Sequence, residues 1–296
     1  MKNTLAILTA GTLWGTMGIF VRVLTGFGLS SLQISAVRLV SASLILIIIS
    51  AFSGGSENYK IKRRDILWFL MNGIFSITGL TICYFNSIKM SSLCTAAILL
   101  YTAPVFVMIM SYFIFREKIT SMKLMALVCA LLGCAFVTGF GGKISAAGVA
   151  WGIGSGICYA LYSIFGTILL KKYKTFQVTL ISFIAAAIAI LPFSDIGGIA
   201  AAFENAENKP LFALLCVLIG LVTAVLPYML FTYGLNGTIP GKASIMASVE
   251  PVVATVIGIL FFSEPFGANS FIGVILVILA VMLVNNFGKS VDKKDI

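Results

Sequence analysis

Glu250 lies deep inside the apolar run 241–262, and no other acidic residue of the chain sits so far within such a run. A carboxylate taken out of water costs several kcal/mol unless it is protonated, paired or hydrated. Such a group can bind a cationic atom, or load a proton on one side of a barrier and release it on the other. The structural alternative is a carboxyl that satisfies a backbone group freed by Pro251 in its own helix. Arg38, in the run 32–52, is the complementary charge, roughly 10 Å along its helix at ~1.5 Å per residue. It could snorkel outward along its stem or face a cavity and attract an anionic group, and the sequence leaves both open. Arg22 falls nearer the end of its run and reads as a solvated anchor.

Aromatic residues supply the remaining candidates. Tyr84, Tyr162 and Tyr233 fit the interfacial belts where Trp and Tyr are enriched. Trp14, Tyr101, Tyr159 and Tyr228 lie several residues from either end of their runs and fit a cavity lining better. Pro104 and Pro251 fall near the middle of two runs, where proline removes a backbone hydrogen bond and clashes with the preceding turn. Broken helices at matching positions in two halves of a membrane chain point to a binding site, and a plain packing kink is the alternative.

Much chemistry is excluded. The chain has no histidine, so imidazole catalysis and His–metal ligation are absent. Its six cysteines all fall in apolar runs with no CxxC pair, which suits small buried hydrophobes rather than a zinc site or disulfide framework. There is no P-loop to cradle ATP. No cofactor is expected. The net charge of +10 invites a nucleic-acid reading, but the basic residues sit in short clusters between apolar runs, as in cytoplasmic loops. No nucleic-acid partner is expected.

The elements that must hold these residues are membrane helices. Sixty per cent of the 296 residues are hydrophobic and only 10% are charged, against about 25% charged in a soluble domain. The sequence divides into ten apolar segments, 4–25, 32–52, 66–87, 92–114, 121–141, 146–170, 176–193, 211–233, 241–262 and 267–287, each near the ~20 residues needed to cross a bilayer. Only 52–65 and 194–210 form longer connections. The first segment is too long for a signal-peptide core and recurs later, so it reads as an uncleaved helix.

Lys and Arg counts set the orientation. With the N-terminus inside, the inner face receives fifteen: Lys2, Lys60, Lys62, Arg63, Arg64, Arg116, Lys118, Lys123, Lys171, Lys172, Lys174, Lys242, Lys289, Lys293 and Lys294. The outer face receives three: Lys89, Lys143 and Lys209. The positive-inside rule then puts both termini in the cytoplasm.

An internal repeat gives the architecture. At an offset of 147, Phe115-Arg116-Glu117 recurs as Phe262-Ser263-Glu264, Pro104 falls on Pro251, Gly73 on Gly220, and Leu132-Gly133 on Leu279-Ala280. An offset of 145 aligns Gly11, Trp14 and Gly15 with Gly156, Tyr159 and Ala160. Residues 1–141 and 146–287 therefore read as two copies of a five-helix unit, followed by a cytoplasmic tail, 288–296. Five crossings are odd, so the second copy must be inverted, the arrangement from which alternating access arises. The GxxxG pairs Gly11/Gly15 and Gly152/Gly156 are expected to let helix backbones approach closely.

At these residues the chain resembles the EamA family of the drug/metabolite transporter superfamily over nearly its whole length. The matching features are the five-plus-five helices, Ala36-Val37-Arg38-Leu39, Ser87-Ile88-Lys89 echoed by Gly234-Leu235-Asn236, Tyr101-Thr102-Ala103-Pro104 with Glu117, and Val249-Glu250-Pro251 with Glu264. The resemblance implies a carrier, often an exporter of amino acids and other metabolites, with a central cavity opened alternately to either side.

The combined expectation is an all-α integral membrane protein of the bacterial-type inner membrane. It would move a small-molecule substrate among membrane lipid as a monomer, with proton coupling through Glu250. Trp14, Arg38, Tyr101, Tyr159, Tyr228 and Glu250 would bind, and Pro104 and Pro251 would kink or gate. A flippase for a lipid or lipid-linked substrate is the nearest alternative. An integral-membrane enzyme is the other, although no DxxD carboxylate pair or GxSxG elbow supports it.

Overall fold

A computed structural model describes residues 2–139, 144–263 and 267–287. Expectations concerning Lys143, Glu264, Lys289, Lys293, Lys294 and the tail 288–296 lie outside them. Among the described residues ten helices are long and apolar enough to cross a membrane: α1 Lys2–Gly26, α2 Ser31–Ser53, α3 Arg63–Met90, α4 Leu93–Phe115, α5 Ser121–Thr138, α6 Ala146–Leu170, α7 Thr175–Phe193, α8 Lys209–Leu235, α9 Pro240–Phe262 and α10 Ala268–Asn285. These bounds follow the apolar runs closely. The fifth run ends early, because Gly139 leaves the helix at φ 84°. The connection 194–210 is not plain loop, since Asp195 caps a further helix, Ile196–Glu204.

Local sequence explains the helix starts. Ser30, Thr120, Ser145 and Asn208 each accept a hydrogen bond from a backbone N–H of the turn that follows, satisfying donors that have no partner within the helix. Away from the ends, many large apolar side chains face outward. Leu44, Ile48, Phe113, Leu260 and Phe261 are each more than half exposed. In water that surface would drive aggregation, whereas in a bilayer it meets acyl chains.

Three helices are interrupted, α1 at the single residue Thr16 between Lys2–Gly15 and Met17–Gly26, and α4 and α9 over two residues each. α4 consists of Leu93–Leu100 and Ala103–Phe115, joined by a turn at Tyr101 and Thr102. α9 consists of Pro240–Ala247 and Glu250–Phe262, joined at Ser248 and Val249. This corrects the expectation of a mid-helix kink that costs a hydrogen bond. Pro104 and Pro251 both sit in the first turn of a second half-helix, where an N–H would be unpaired in any case and the fixed φ suits the start.

Two more helices widen without breaking. α3 is π-helical over Met71–Thr78 and α8 over Leu221–Val225. In α8 the widened turn directly precedes Pro227, whose ring and missing N–H need such room. The two corners after α4 and α9 also match. Arg116 and Ser263 are both left-handed, at φ 56° and 53°, and just after the first of them the Glu117 N–H donates back to the Ser111 carbonyl at 3.2 Å.

Packing joins early helices to late ones. α1 lies against α8 and α9, α2 against α7 and α8, α3 against α6 and α7, α4 against α6, and α5 against α10. The GxxxG faces do what their spacing suggests. A Cβ on Gly15 would come within 2.8 Å of the Glu250 carbonyl oxygen, and one on Gly156 within 3.1 Å of that of Leu99. Each pair seats its helix on the interruption of α9 or of α4.

Candidate functional site

The interruptions of α4 and α9 meet near the middle of the helix bundle. A void of about 10 Å³ lies between them, lined by Leu100, Tyr101, Ala103 and Pro104 from α4, Tyr159 from α6, and Ser244, Ala247, Ser248 and Glu250 from α9. A void of that size holds about one water, so in this conformation the halves are drawn together on a nearly empty centre. At both interruptions the turn N–H groups bond back to the preceding half-helix, Thr102 to Leu99 and Ser248 to Ile245, so the half-helix ends face the void with their helix dipoles.

Glu250 opens the second half of α9. The Tyr101 side chain lines the same void as its carboxylate, and Arg38 is the cation that acts on it electrostatically. Arg38 is only 6% exposed. Its Nη1 lies 3.4 Å from the Met17 sulfur, and its buried Nε has no hydrogen-bond partner among the described residues. A buried guanidinium with so little compensation is poorly satisfied. It points inward, so of the two readings left open for Arg38 the structure takes the interior one. Arg22 instead lays its guanidinium 4.0 Å from the centre of the Phe262 ring, tying the end of α1 to the end of α9.

Aromatic rings extend the site in one direction. Trp14 meets Tyr159 edge-on at 6.2 Å and Tyr228 at 5.3 Å between ring centres. Tyr228 in turn packs on Tyr162 at 5.0 Å and Phe183 at 4.9 Å. Tyr162 shares a hydrogen bond of 2.7 Å with Thr232. Trp14 and Tyr228 are each 7% exposed and do not line the void. They form the wall behind Tyr159, and their edge-to-face geometry fixes its ring.

The structure thus brings all six expected binding residues into one neighbourhood, three at the void and three around it, with both prolines at the interruptions. Sequence reasoning missed Ser244 and Ser248. Their signal was present: two serines four apart lie on one helical face, in the run that leads to Glu250.

A second, larger cavity of about 630 Å³ opens at one end of the bundle. Asn3, Arg116, Lys118, Lys123, Lys171 and the segment 235–240 contribute to its lining. Every residue of the half-helix Pro240–Ala247 is buried, and this half-helix separates the cavity from the central void. At the same end of the bundle Asp65 accepts hydrogen bonds from Lys172 at 2.7 Å and Tyr173 at 2.8 Å. This basic end gathers residues that the charge count assigns to a single face. Among the described residues no cluster of metal-binding side chains occurs.

The model of the EamA-like transporter family matches the chain twice, over residues 1–139 and 146–286. Full-length relatives are similar throughout. The uncharacterized inner membrane transporter YicL of Salmonella typhimurium (strain LT2) is 26% identical over 291 residues, covering 96% of this chain and 95% of its own. An uncharacterized transporter of Archaeoglobus fulgidus is 25% identical over 278 residues, covering 94% of both chains. The uncharacterized transporter YwfM of Bacillus subtilis (strain 168) is 25% identical over 296 residues, covering 95% and 93%. A solved crystal structure superposes with a TM-score of 0.77 at 16% identity, covering 99% of both chains, a likeness of fold.

Proposed function

Because the chain belongs to the EamA-like transporter family, and so to a family of transporters rather than enzymes, we propose that it is a secondary carrier of small metabolites. Its substrate is an amino acid or related solute, carried outward by alternating exposure of the site between α4 and α9. The observation that carries this reading is the meeting of two interrupted helices on Glu250, Tyr101 and Tyr159. Half-helix ends at mid-depth offer hydrogen-bonding groups to a solute without exposing them to lipid. The void of about 10 Å³ is too small for any solute, so binding requires the half-helices to part. Parting them towards one face at a time is transport.

The carrier is built from two five-helix units, 1–141 and 146–287, the second inverted, with a cytoplasmic tail 288–296. Support comes from local structure as well as from the double family match. The interruptions at Tyr101 and Ser248, the prolines at 104 and 251, and the left-handed Arg116 and Ser263 all recur at one offset of 147 residues. The π-helical stretches of α3 and α8 overlap at the same offset. A positive-inside orientation puts the basic end in the cytoplasm of a bacterial-type inner membrane. The protein acts as a monomer, and Glu250 couples transport to protons.

A thermal-shift screen against amino acids, amines, nucleosides and sugars finds the ligand class, because a ligand bound only by the folded state raises the melting temperature. Purified protein in liposomes should then exchange that solute unchanged. Conversion of the solute, or no movement of any stabilising ligand, would sink the reading.

A further inference from the structure

Glu117 follows the left-handed Arg116 just beyond the end of α4, at the basic end, and is unusually enclosed for a carboxylate beside a loop. Its side chain is 5% exposed and that of Lys123 10%, with Nζ of Lys123 donating to Oε1 of Glu117 at 3.0 Å. The same Nζ donates to the Lys118 carbonyl at 3.0 Å. The other carboxylate oxygen faces α9, where Oε2 accepts from the N–H of Gly241 at 3.4 Å. Gly241 is the second residue of the half-helix Pro240–Ala247, so the carboxylate takes up a first-turn N–H and lies at the positive end of that helix's dipole. A Cβ on Gly241 would lie 2.7 Å from Oε1 of Glu117, so any larger residue pushes the carboxylate end aside.

The half-helix held in this way is itself enclosed. All eight of its residues are buried, whereas in its counterpart of α4, Leu93–Leu100, only Ala96 is. It stands between the 630 Å³ cavity on one side and the void with Glu250 on the other. We propose that Glu117, set by Lys123 and seated on the Gly241 N–H, is the latch of the inner gate: it holds Pro240–Ala247 down as a plug and must release it for the site to open to the basic face. The inference rests on the alternating-access reading. The ion pair joins the corner after α4 to the start of α5, and its carboxylate crosses to the plug, so the latch is a positioning contact and touches no substrate.

The test reads accessibility rather than transport. Ser248→Cys, at the void, is placed in a background with the six native cysteines replaced, and labelled in oriented vesicles by a membrane-impermeant maleimide. Parent protein should label slowly from the basic face. Glu117→Gln should raise that rate roughly tenfold or more, as for the loss of a contact present only in one of two states. Gly241→Ala should do the same with every charge in place, by displacing the carboxylate end. Exchanging the charges, Glu117→Lys with Lys123→Glu, rebuilds an ion pair but presents a cation to the helix start, and should leave the gate open. Ser163→Cys, fully buried in α6, must stay unlabelled throughout. Unchanged rates in Glu117→Gln and Gly241→Ala overturn the latch. So does restoration by the charge exchange, which would reduce the contact to a simple ion pair, and so does labelling of Ser163→Cys, which would mean general loosening. If the wild type exchanges no solute, the carrier reading fails on that result, and the labelling still decides whether the contact gates access.

Discussion

Glu250 and Arg38 are opposite charges within the membrane-spanning part, and they are satisfied unequally. Glu250 has Tyr101 beside it at the void and the field of Arg38, while Arg38 keeps an unpartnered Nε. The carboxyl is the group able to change its protonation, since a guanidinium stays charged at any working pH. Glu250→Gln keeps shape and hydrogen-bonding capacity but cannot titrate. In proteoliposomes this variant should exchange substrate on both sides yet no longer accumulate it when a pH gradient is imposed. Accumulation equal to wild type would remove Glu250 from coupling, and a wild type indifferent to the gradient would make the protein a uniporter. The aromatic residues act by two routes. Tyr101 lines the void, whereas Trp14 buttresses Tyr159 from behind. Tyr101→Ala and Trp14→Ala should both express as folded protein and lose ligand-induced stabilisation, which for wild type is about 2.7 kcal/mol at a hundredfold excess over Kd. Unaltered thermal shifts in both would put the site elsewhere.

Among the elements, the interrupted helices depend on close neighbours. α1 can seat on the α9 interruption only because Gly11 and Gly15 present backbone there. Gly15→Ala drives a methyl against the Glu250 carbonyl and the Val253 side chain. Overpacking of this kind costs about 1–3 kcal/mol, visible as a lower melting temperature in detergent. Gly18, farther along the same helix, has nothing within 4 Å of the position a Cβ would take. Gly18→Ala should be neutral or stabilise by up to about 1 kcal/mol through helix propensity. Equal losses at both positions would mean that glycine serves helix flexibility rather than contact.

The whole molecule has a basic end and a depleted one, and its topology follows from that asymmetry. Ser56 and Glu207 are exposed, in connections one odd number of crossings apart. Glu207 is the better probe on its side, because Asn208 caps Leu211 and would weaken α8 if replaced. On a cysteine-free background, Ser56→Cys should react with an impermeant maleimide from the cytoplasmic face and Glu207→Cys from the outer face. Reaction of both from one face would overturn the inverted arrangement.

Ten helices, their ends and the 147-residue offset were legible in the sequence, because a bilayer demands long apolar runs and penalises charge at their centres. The same penalty made Glu250 conspicuous. Ser244 and Ser248 passed unnoticed, since a hydroxyl in a membrane helix usually bonds its own backbone and gives no compositional alarm. The prolines marked the right places, but whether Pro104 and Pro251 kink a helix or start a new one depends on what fills the gap. That is decided by α1 and α6, whose glycine faces come from the opposite half of the chain. The Glu117 contact was equally hidden. Its partners, Lys123 and the Gly241 N–H, lie on either side of more than a hundred residues, and a hydrogen bond to a backbone N–H leaves no trace in residue type. Local patterns specify helices because their causes are local. Which helix ends meet, and which carboxylate lies on which half-helix, is settled only when distant segments compete for the same interior space.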